Sequence, residues 1–254
     1  MIFKLKSVEN AVIIGAGHGI GAALVKSLLR QFPKIKVFAT FNNEAKNKVL
    51  LETLKDHNDR LKVYKVDPKN ELEISEFRDH VSKDASKVEL LINSVGFLHT
   101  KSIGPERSLR DVSFEALQKY FEVNASPHLI LAKEFHSLFR HSNFSAFVAV
   151  SAKVGSISDN SLGGWYGYRA SKAALNMFVK GISLEYNRRG CKSLVLSVHP
   201  GTTVTELSKP FIENTHYKLH SPDETAQNIL SVVDGKDLEQ TGKFYSWDGE
   251  EIPW

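Results

Sequence analysis

Four glycines fall within seven residues, Gly15-Ala-Gly-His-Gly-Ile-Gly21, directly after the short apolar run Ala11-Val-Ile-Ile14. From Ile20 to Phe32 the apolar residues take helical spacing, with Ile20, Leu24, Leu28 and Leu29 on one face, and Pro33 stops the run. A strand that ends in glycines and opens a helix is a narrow constraint. Glycine allows a tight turn and a close approach of backbone to a ligand, and a helix N-terminus favours negative charge. The junction at residues 14–21 therefore predicts a pyrophosphate-binding turn, with Gly15, Gly17, His18, Gly19 and Ile20 as candidate contacts. The spacing, Gly15-xxx-Gly19-x-Gly21, differs from G-x-G-x-x-G but follows the same physical logic. A tight turn without a ligand is the plainer alternative, and the density of glycines at a strand–helix junction weighs against it.

The alternation continues along the chain. Ile35–Thr40 reads as a strand, residues near 45–56 as a charged helix, Leu61–Val66 as a strand, residues near 72–82 as a polar helix and Val88–Ile92 as a strand. Long helical stretches run from Phe114 to Phe139 with a break near Pro127, and the strand Ala146–Val150 follows. A glycine- and serine-rich loop reaches Trp165, and a long helix spans roughly Tyr168–Asn187. Ser193–Val198 is a strand ended by Pro200-Gly201, residues near 222–233 form a late helix, and Gly242–Trp247 a final short strand. Strands that alternate with helices imply parallel βαβ units. The expected fold class is α/β, a Rossmann-type doubly wound parallel sheet of about seven strands with helices on both faces. No repeat, low-complexity tract or linker divides the chain, so residues 1–254 are expected to form one domain.

Composition excludes several partners. The chain is 42% hydrophobic and 24% charged, as in a soluble globular protein. Its charge of +4 is spread, with acidic residues among the lysines, so no stripe for a nucleic acid stands out. No apolar run is long enough to span a membrane. Cys191 is the single cysteine, which rules out an internal disulfide and suits a reducing, cytoplasmic location. The ten histidines show no ligand spacing, so no catalytic metal is expected.

Two local patterns carry chemistry. In a dinucleotide fold, a carboxylate after the second strand would hold the adenosine ribose of NAD and repel a 2′-phosphate. Here Phe38-Ala-Thr-Phe-Asn-Asn43 has none before Glu44, and Thr40, Asn42, Asn43 and His18 tolerate a phosphate. The cofactor expected is NADP, with NAD as the alternative. Asp67, after the third strand, has the position of an adenine contact. Tyr168-Arg-Ala-Ser-Lys172 places a phenol and an ammonium four residues apart on one helix face. A free tyrosine, with a pKa near ~10, is a poor proton carrier at neutral pH, and a neighbouring ammonium favours its phenolate. Alone, the pair is a weak motif and equally a surface helix start.

The order and spacing of Gly15-xxx-Gly19-x-Gly21, Asn93-Ser-Val-Gly96, Asn124, the serines of Val150–Ser156, Tyr168-xxx-Lys172 and Pro200-Gly201 resemble those of the short-chain dehydrogenases/reductases. The resemblance covers almost the whole chain. Residues 155–176 look most like the branch that contains the bacterial signalling C-factor and the Sniffer-type carbonyl reductases. It implies an oxidoreductase that moves a hydride between a nicotinamide cofactor and a small carbonyl or alcohol substrate. By the same resemblance, Tyr168 is the proton donor or acceptor, Lys172 lowers its pKa and holds the nicotinamide ribose, and Asn124 anchors a water of the proton relay. Asn93, Ser94 and Gly96 would border the adenosine ribose. The loop after Pro200-Gly201 would close over the cofactor through Thr202, Thr203 and Thr205, and residues 202–220 would form a substrate lid. A homodimer or homotetramer is the implied assembly.

Three positions depart from the family pattern. The catalytic serine is expected three residues before Gly155, where Ala152 stands, and Ser151 and Ser156 flank it as alternatives. Ile14 replaces a threonine, which removes one turn-stabilising hydroxyl, and Ser94-Val95 replace Asn-Ala. Two further readings follow: a cofactor-binding signalling or regulatory protein with incidental redox activity, motivated by Ala152, and a sugar-nucleotide epimerase, opposed by the glycine spacing. Trp165 is a candidate wall of the substrate pocket, and His199 reads as a packed histidine.

Overall fold

The computed structural model describes residues 2–213 and 217–254. Strand β1 (Asn10–Ile14) feeds helix α1 (Gly19–Gln31), and β2 (Lys36–Phe41), α2 (Lys48–Asp56), β3 (Leu61–Lys65) and α3 (Glu71–Asp84) continue the alternation. Then come β4 (Leu90–Asn93), α4 (Phe114–Asn124), α5 (Ser126–Phe139), β5 (Ser145–Val150), α6 (Tyr166–Arg188) and β6 (Ser193–His199). A two-residue pair, β7 (Thr202–Thr203) with β8 (Leu219–His220), precedes α7 (Pro222–Val233) and β9 (Lys243–Ser246).

Seven strands form one parallel sheet in the order β3-β2-β1-β4-β5-β6-β9. This is the expected doubly wound α/β fold. Successive strands bury alternate residues on opposite faces. Ala11 and Ile13 join Leu24 and Leu28 of α1 and Ile229 of α7. Val12 and Ile14 join Phe77 of α3, Phe135 of α5 and Val179 of α6. Burial on both faces explains why the strands read as unbroken apolar runs.

The strand order reverses between β1 and β4, and a crevice opens beyond the carboxyl ends of strands at such a point. The register brings those ends level: Ile14 lies opposite Asn93, Asn93 opposite Ala149, and Ala149 opposite Ser197. The helical break expected near Pro127 falls at Ala125, two residues earlier. Pro127 lacks an N–H and its ring crowds the carbonyl four residues back, so the ladder of α4 closes ahead of it, and proline takes a first-turn position in α5. Helix α6 starts at Tyr166, which places Tyr168 in its first turn. Among the described residues, no helix is long and apolar enough to cross a membrane, and no group of three or more His, Cys, Asp or Glu could hold a metal ion.

Candidate active site

Neighbouring strands hold the glycine turn. The Gly15 N–H donates to Thr40 Oγ1 (3.2 Å) and the Ala16 N–H to the Thr40 carbonyl (2.6 Å). Ser94 Oγ donates to the Ile14 carbonyl (2.9 Å). Two hydroxyls thus brace the turn, one from β2 and one from the residue that follows β4. Gly15 adopts φ +82° and Gly19 φ +57°, which favour glycine. Gly21 is required for packing, since a Cβ there would lie 2.3 Å from the Gly15 carbonyl oxygen and 2.6 Å from Ser94 Oγ. Helix α1 has no side-chain cap at His18, so its first N–H groups have no side-chain acceptor there.

Asn93 is fully buried at the end of β4; its Oδ1 accepts from the Val95 N–H (3.0 Å), and its Nδ2 has no partner among the described residues. Asn124 pins the loop after β4: its Oδ1 accepts from the Phe97 N–H (2.7 Å), and its Nδ2 donates to the Phe97 carbonyl and Ser171 Oγ (both 3.0 Å). A Cβ on Gly96 would stand 4.0 Å from both Asn124 Oδ1 and Lys172 Nζ.

Tyr168 and Lys172 are buried on one face of α6. Lys172 Nζ donates to the Val150 carbonyl (3.0 Å), its single hydrogen-bond partner among the described residues. Burial lowers its pKa to about 8. Burial raises the Tyr168 pKa well above the ordinary phenol value, and Tyr120 adds to the rise. The phenol packs edge-on against Tyr120 and Trp165, with both centroids at 6.1 Å. Trp165 meets Phe211 at 5.3 Å, and Leu98, Ala152, Val154 and Leu207 complete an apolar cluster about Tyr168.

The two candidate serines are engaged within the fold. Ser151 Oγ donates to Asn176 Oδ1 (2.8 Å), and Ser156 Oγ donates to the Pro253 carbonyl. Ala152, between them in sequence, faces the Tyr168 cluster and carries no hydroxyl. Gly155 sits where a Cβ would lie 2.8 Å from Lys172 Cβ, so the loop packs directly on α6.

Other expected contacts are spread around the crevice. Gly201, at φ +75°, lies against the His220 and Trp247 rings, and Pro200 is buried. Thr203 shares its hydroxyl with Thr225 (2.8 Å), while Thr205 Cγ2 reaches 3.6 Å from a Cβ placed on Gly19. Asp67 pairs with Lys69 (3.1 Å), and Asn42 is exposed. Within the lid region 202–220, residues 214–216 lie outside the described residues.

Sequence reasoning missed Lys46. Its ammonium pairs with Glu206, in the segment expected to form a lid, beside His18. Loss of hydration and then Lys46 lower the His18 pKa, while Glu206 raises it. No spacing rule links positions 46 and 206. Glu106, with a carboxylate beneath the start of α6, was missed for the same reason.

A glycine turn at the sheet reversal, followed by a buried Tyr-xxx-Lys pair, is the arrangement of an oxidoreductase of the short-chain class. The family described as short chain dehydrogenase matches residues 9–216, and the chain belongs to it. Similar proteins include the C-signal of Myxococcus xanthus, 32% identical over 66% of this chain and 93% of that protein. An uncharacterised oxidoreductase of Schizosaccharomyces pombe is 27% identical over 95% of this chain and 96% of its own. Among solved structures, an NADPH-bound carbonyl reductase from chicken fatty liver matches with a TM-score of 0.85 at 24% identity, covering 97% of this chain and 99% of that one. The carbonyl reductase Sniffer of D. melanogaster also gives 0.85, at 23% identity over 97% and 100% of the two chains. At these identities the two structures establish the fold.

Proposed function

We propose that the protein reduces a small carbonyl compound with NADPH, Tyr168 supplying the proton. The observation that carries this reading is a buried phenol with no hydrogen-bond partner among the described residues, one helical turn from the buried Lys172 ammonium. Raised by burial, Tyr168 rests as a neutral phenol, the form that donates to a carbonyl oxygen. Lys172 keeps donors to spare beyond Val150, which suits the two hydroxyls of a ribose. The unpartnered Asn93 Nδ2 and the turn at Gly15–Gly21 fit the rest of a dinucleotide. When bound, NADPH supplies the hydride. The residues of the chain do the remainder: the glycine turn and α1 hold phosphate, Lys172 orients ribose and favours the tyrosinate left after donation, and Asn124 fixes the loop that flanks Lys172.

Two features support the 2′-phosphate form. The end of β2 carries no carboxylate before Glu44, and the Glu44 carboxylate is engaged by Lys65. Lys46 places an ammonium beside the turn, and His18, whose pKa is lowered by burial and by Lys46, adds a neutral ring that does not repel a phosphate. The chicken enzyme, bound to NADPH, shares the fold.

Tyr168→Phe tests the assignment. Turnover of a carbonyl probe should fall to background while NADPH binding by calorimetry stays close to wild type. Retained turnover removes the role from Tyr168. A second reading, a cofactor-binding regulatory protein, is supported by Ala152 at the serine position and by the similarity to C-signal. It requires the biological phenotype to survive Tyr168→Phe and to fail when Gly19 or Gly21 is enlarged.

A further inference from the structure

The chain enters α6 through three consecutive residues in the left-handed region: Gly163 (φ +66°), Gly164 (φ +64°) and Trp165 (φ +52°). Two are glycines, for which this backbone is easy. A tryptophan there is strained, and it is the single non-glycine residue with positive φ among those described. Trp165 is also the N-cap of α6, and its side chain offers no acceptor to the first N–H groups of a 23-residue helix.

Glu106 supplies what the tryptophan lacks. Its carbonyl accepts from the Trp165 N–H (2.6 Å), and its carboxylate accepts from the Gly167 N–H through both oxygens (3.3 and 3.2 Å). One residue therefore grips both sides of the turn. The carboxylate is 2% exposed, and no cation pairs with it among the described residues. A buried, unpaired carboxylate is costly unless its surroundings are positive, and the start of a long helix is such a place. Gly167 is fitted to this contact: a Cβ would lie 2.8 Å from Glu106 Oε1 and 2.5 Å from the Tyr120 ring.

The turn sets two functional side chains. It directs Trp165 edge-on to Tyr168, at 6.1 Å and 74°, and to Phe211, at 5.3 Å and 66°. It also fixes the first turn of α6, from which Tyr168 projects. Glu106 also acts on the neighbouring phenol of Tyr120. Tyr120, held by the Leu98 carbonyl (2.8 Å), is raised to about 12 by burial and then by Glu106.

We propose that Glu106 is a positioning residue, a carboxylate clamp that holds the strained Trp165 turn and so sets the Tyr168 phenol and the Trp165 wall of the pocket. The proposal rests on the assignment of Tyr168 as proton donor. It predicts a division between variants that a merely stabilising contact would not give. Glu106→Gln keeps an oxygen that can accept from Gly167, whereas Glu106→Ala keeps only the backbone bond to Trp165 and leaves the Gly167 N–H buried without its acceptor.

The experiment measures kcat and KM for phenanthrenequinone with NADPH, NADPH affinity by calorimetry, and the near-ultraviolet circular dichroism of the cofactor-free protein. In Glu106→Ala, kcat should fall on the order of 10–100-fold, as expected when a reacting group is misplaced by an ångström. NADPH affinity should hold within about threefold, because the glycine turn and Lys172 are untouched. The aromatic signal lost in Trp165→Phe should also be lost in Glu106→Ala and kept in Glu106→Gln, and Gln should restore most of kcat. The proposal is overturned if the alanine variant keeps wild-type kcat and aromatic signal, if Gln is as impaired as Ala, or if NADPH binding is lost in step with activity. Should Glu106→Ala not fold, the Glu106→Gln and Trp165→Gly variants decide: the glutamine change should cost less stability in the Trp165→Gly background, where the strain is gone, and an equal cost counts against the clamp. A wild-type protein that binds NADPH but leaves the quinone unreduced would question the activity, and the dichroism would still judge the clamp.

Discussion

Gly21→Ala and Gly181→Ala make the same chemical change in two helices, with opposite expected outcomes. At Gly21 the new methyl would stand 2.3 Å from the Gly15 carbonyl oxygen, 2.8 Å from its carbon and 2.6 Å from Ser94 Oγ. That is roughly 1 Å short of ordinary contact, which begins near 3.4 Å, and the main obstacle is backbone, which cannot turn aside. Overpacking costs about 1–3 kcal/mol where side chains can adjust, and here the upper part of that range applies. Alanine's helix preference returns at most about 1 kcal/mol. The net loss is about 2 kcal/mol, a Tm drop of roughly 4–8 °C for a chain of this size. At Gly181, within α6, a Cβ meets nothing within 4 Å. Only the preference remains, so stability should rise by up to about 1 kcal/mol. Urea denaturation at 25 °C reads both values, and calorimetry with NADPH reads the turn. Displacing Gly15 by on the order of 1 Å should weaken NADPH at least tenfold in Gly21→Ala and leave Gly181→Ala unchanged. Equal stability changes in the two variants, or full NADPH binding by Gly21→Ala, would refute the view that Gly21 exists to let α1 approach the turn.

Lys172 gives a pH dependence. Its folded pKa, lowered to about 8, lies below its unfolded value of ~10.4, so the unfolded chain holds the proton more tightly. The cost of the buried ammonium is complete below pH 8, on the order of 3 kcal/mol, and fades as pH rises through 8 towards 10.4. Without cofactor, Lys172→Met should therefore be more stable than wild type in urea at pH 7 and lose that advantage near pH 10. At the turn, Lys46→Gln should weaken NADPH several-fold and leave NADH unchanged by calorimetry, with the difference shrinking at high salt. Glu206→Gln, which frees Lys46, should tighten NADPH. Ala152→Ser restores a hydroxyl to the pocket, so kcat for a carbonyl probe should rise; unchanged or lower kcat would show that this site works without it.

Much of the fold was legible because parallel strands buried on both faces must be apolar throughout, and the helices between them repeat at 3.6 residues. The glycine turn and the Tyr168–Lys172 face are local patterns, so spacing pointed to them, and their company along the chain lifted the pair above a weak motif. What stayed hidden depends on distant partners. Ser156 looked free for chemistry until its hydroxyl met Pro253, 97 positions away. Ser151 is similarly engaged by Asn176. Thr203 lies at the expected cofactor loop, but its hydroxyl is turned to Thr225 on α7. Lys46 and Glu206 meet only because the segment after β6 folds back over the start of α1. Glu106 belongs to no repeat, and its partner lies 61 residues on. Even Pro127, a reliable breaker, acts two residues upstream, since the bonds it removes belong to the preceding turn.

The hydroxyls of Thr40 and Ser94 tie the glycine turn to β2 and β4. A turn held this way is no longer a loop in the thermodynamic sense. To loosen it, Gly15 must give up bonds that lead into the centre of the sheet, so its opening is coupled to the most protected part of the molecule instead of to the fraying surface. On the proposed reading, an incoming phosphate would meet a cradle already ordered when the chain folded, and little of its binding enthalpy would go into restraining backbone. The readiness of this turn for a phosphate would in that sense be a property of the strands that flank it.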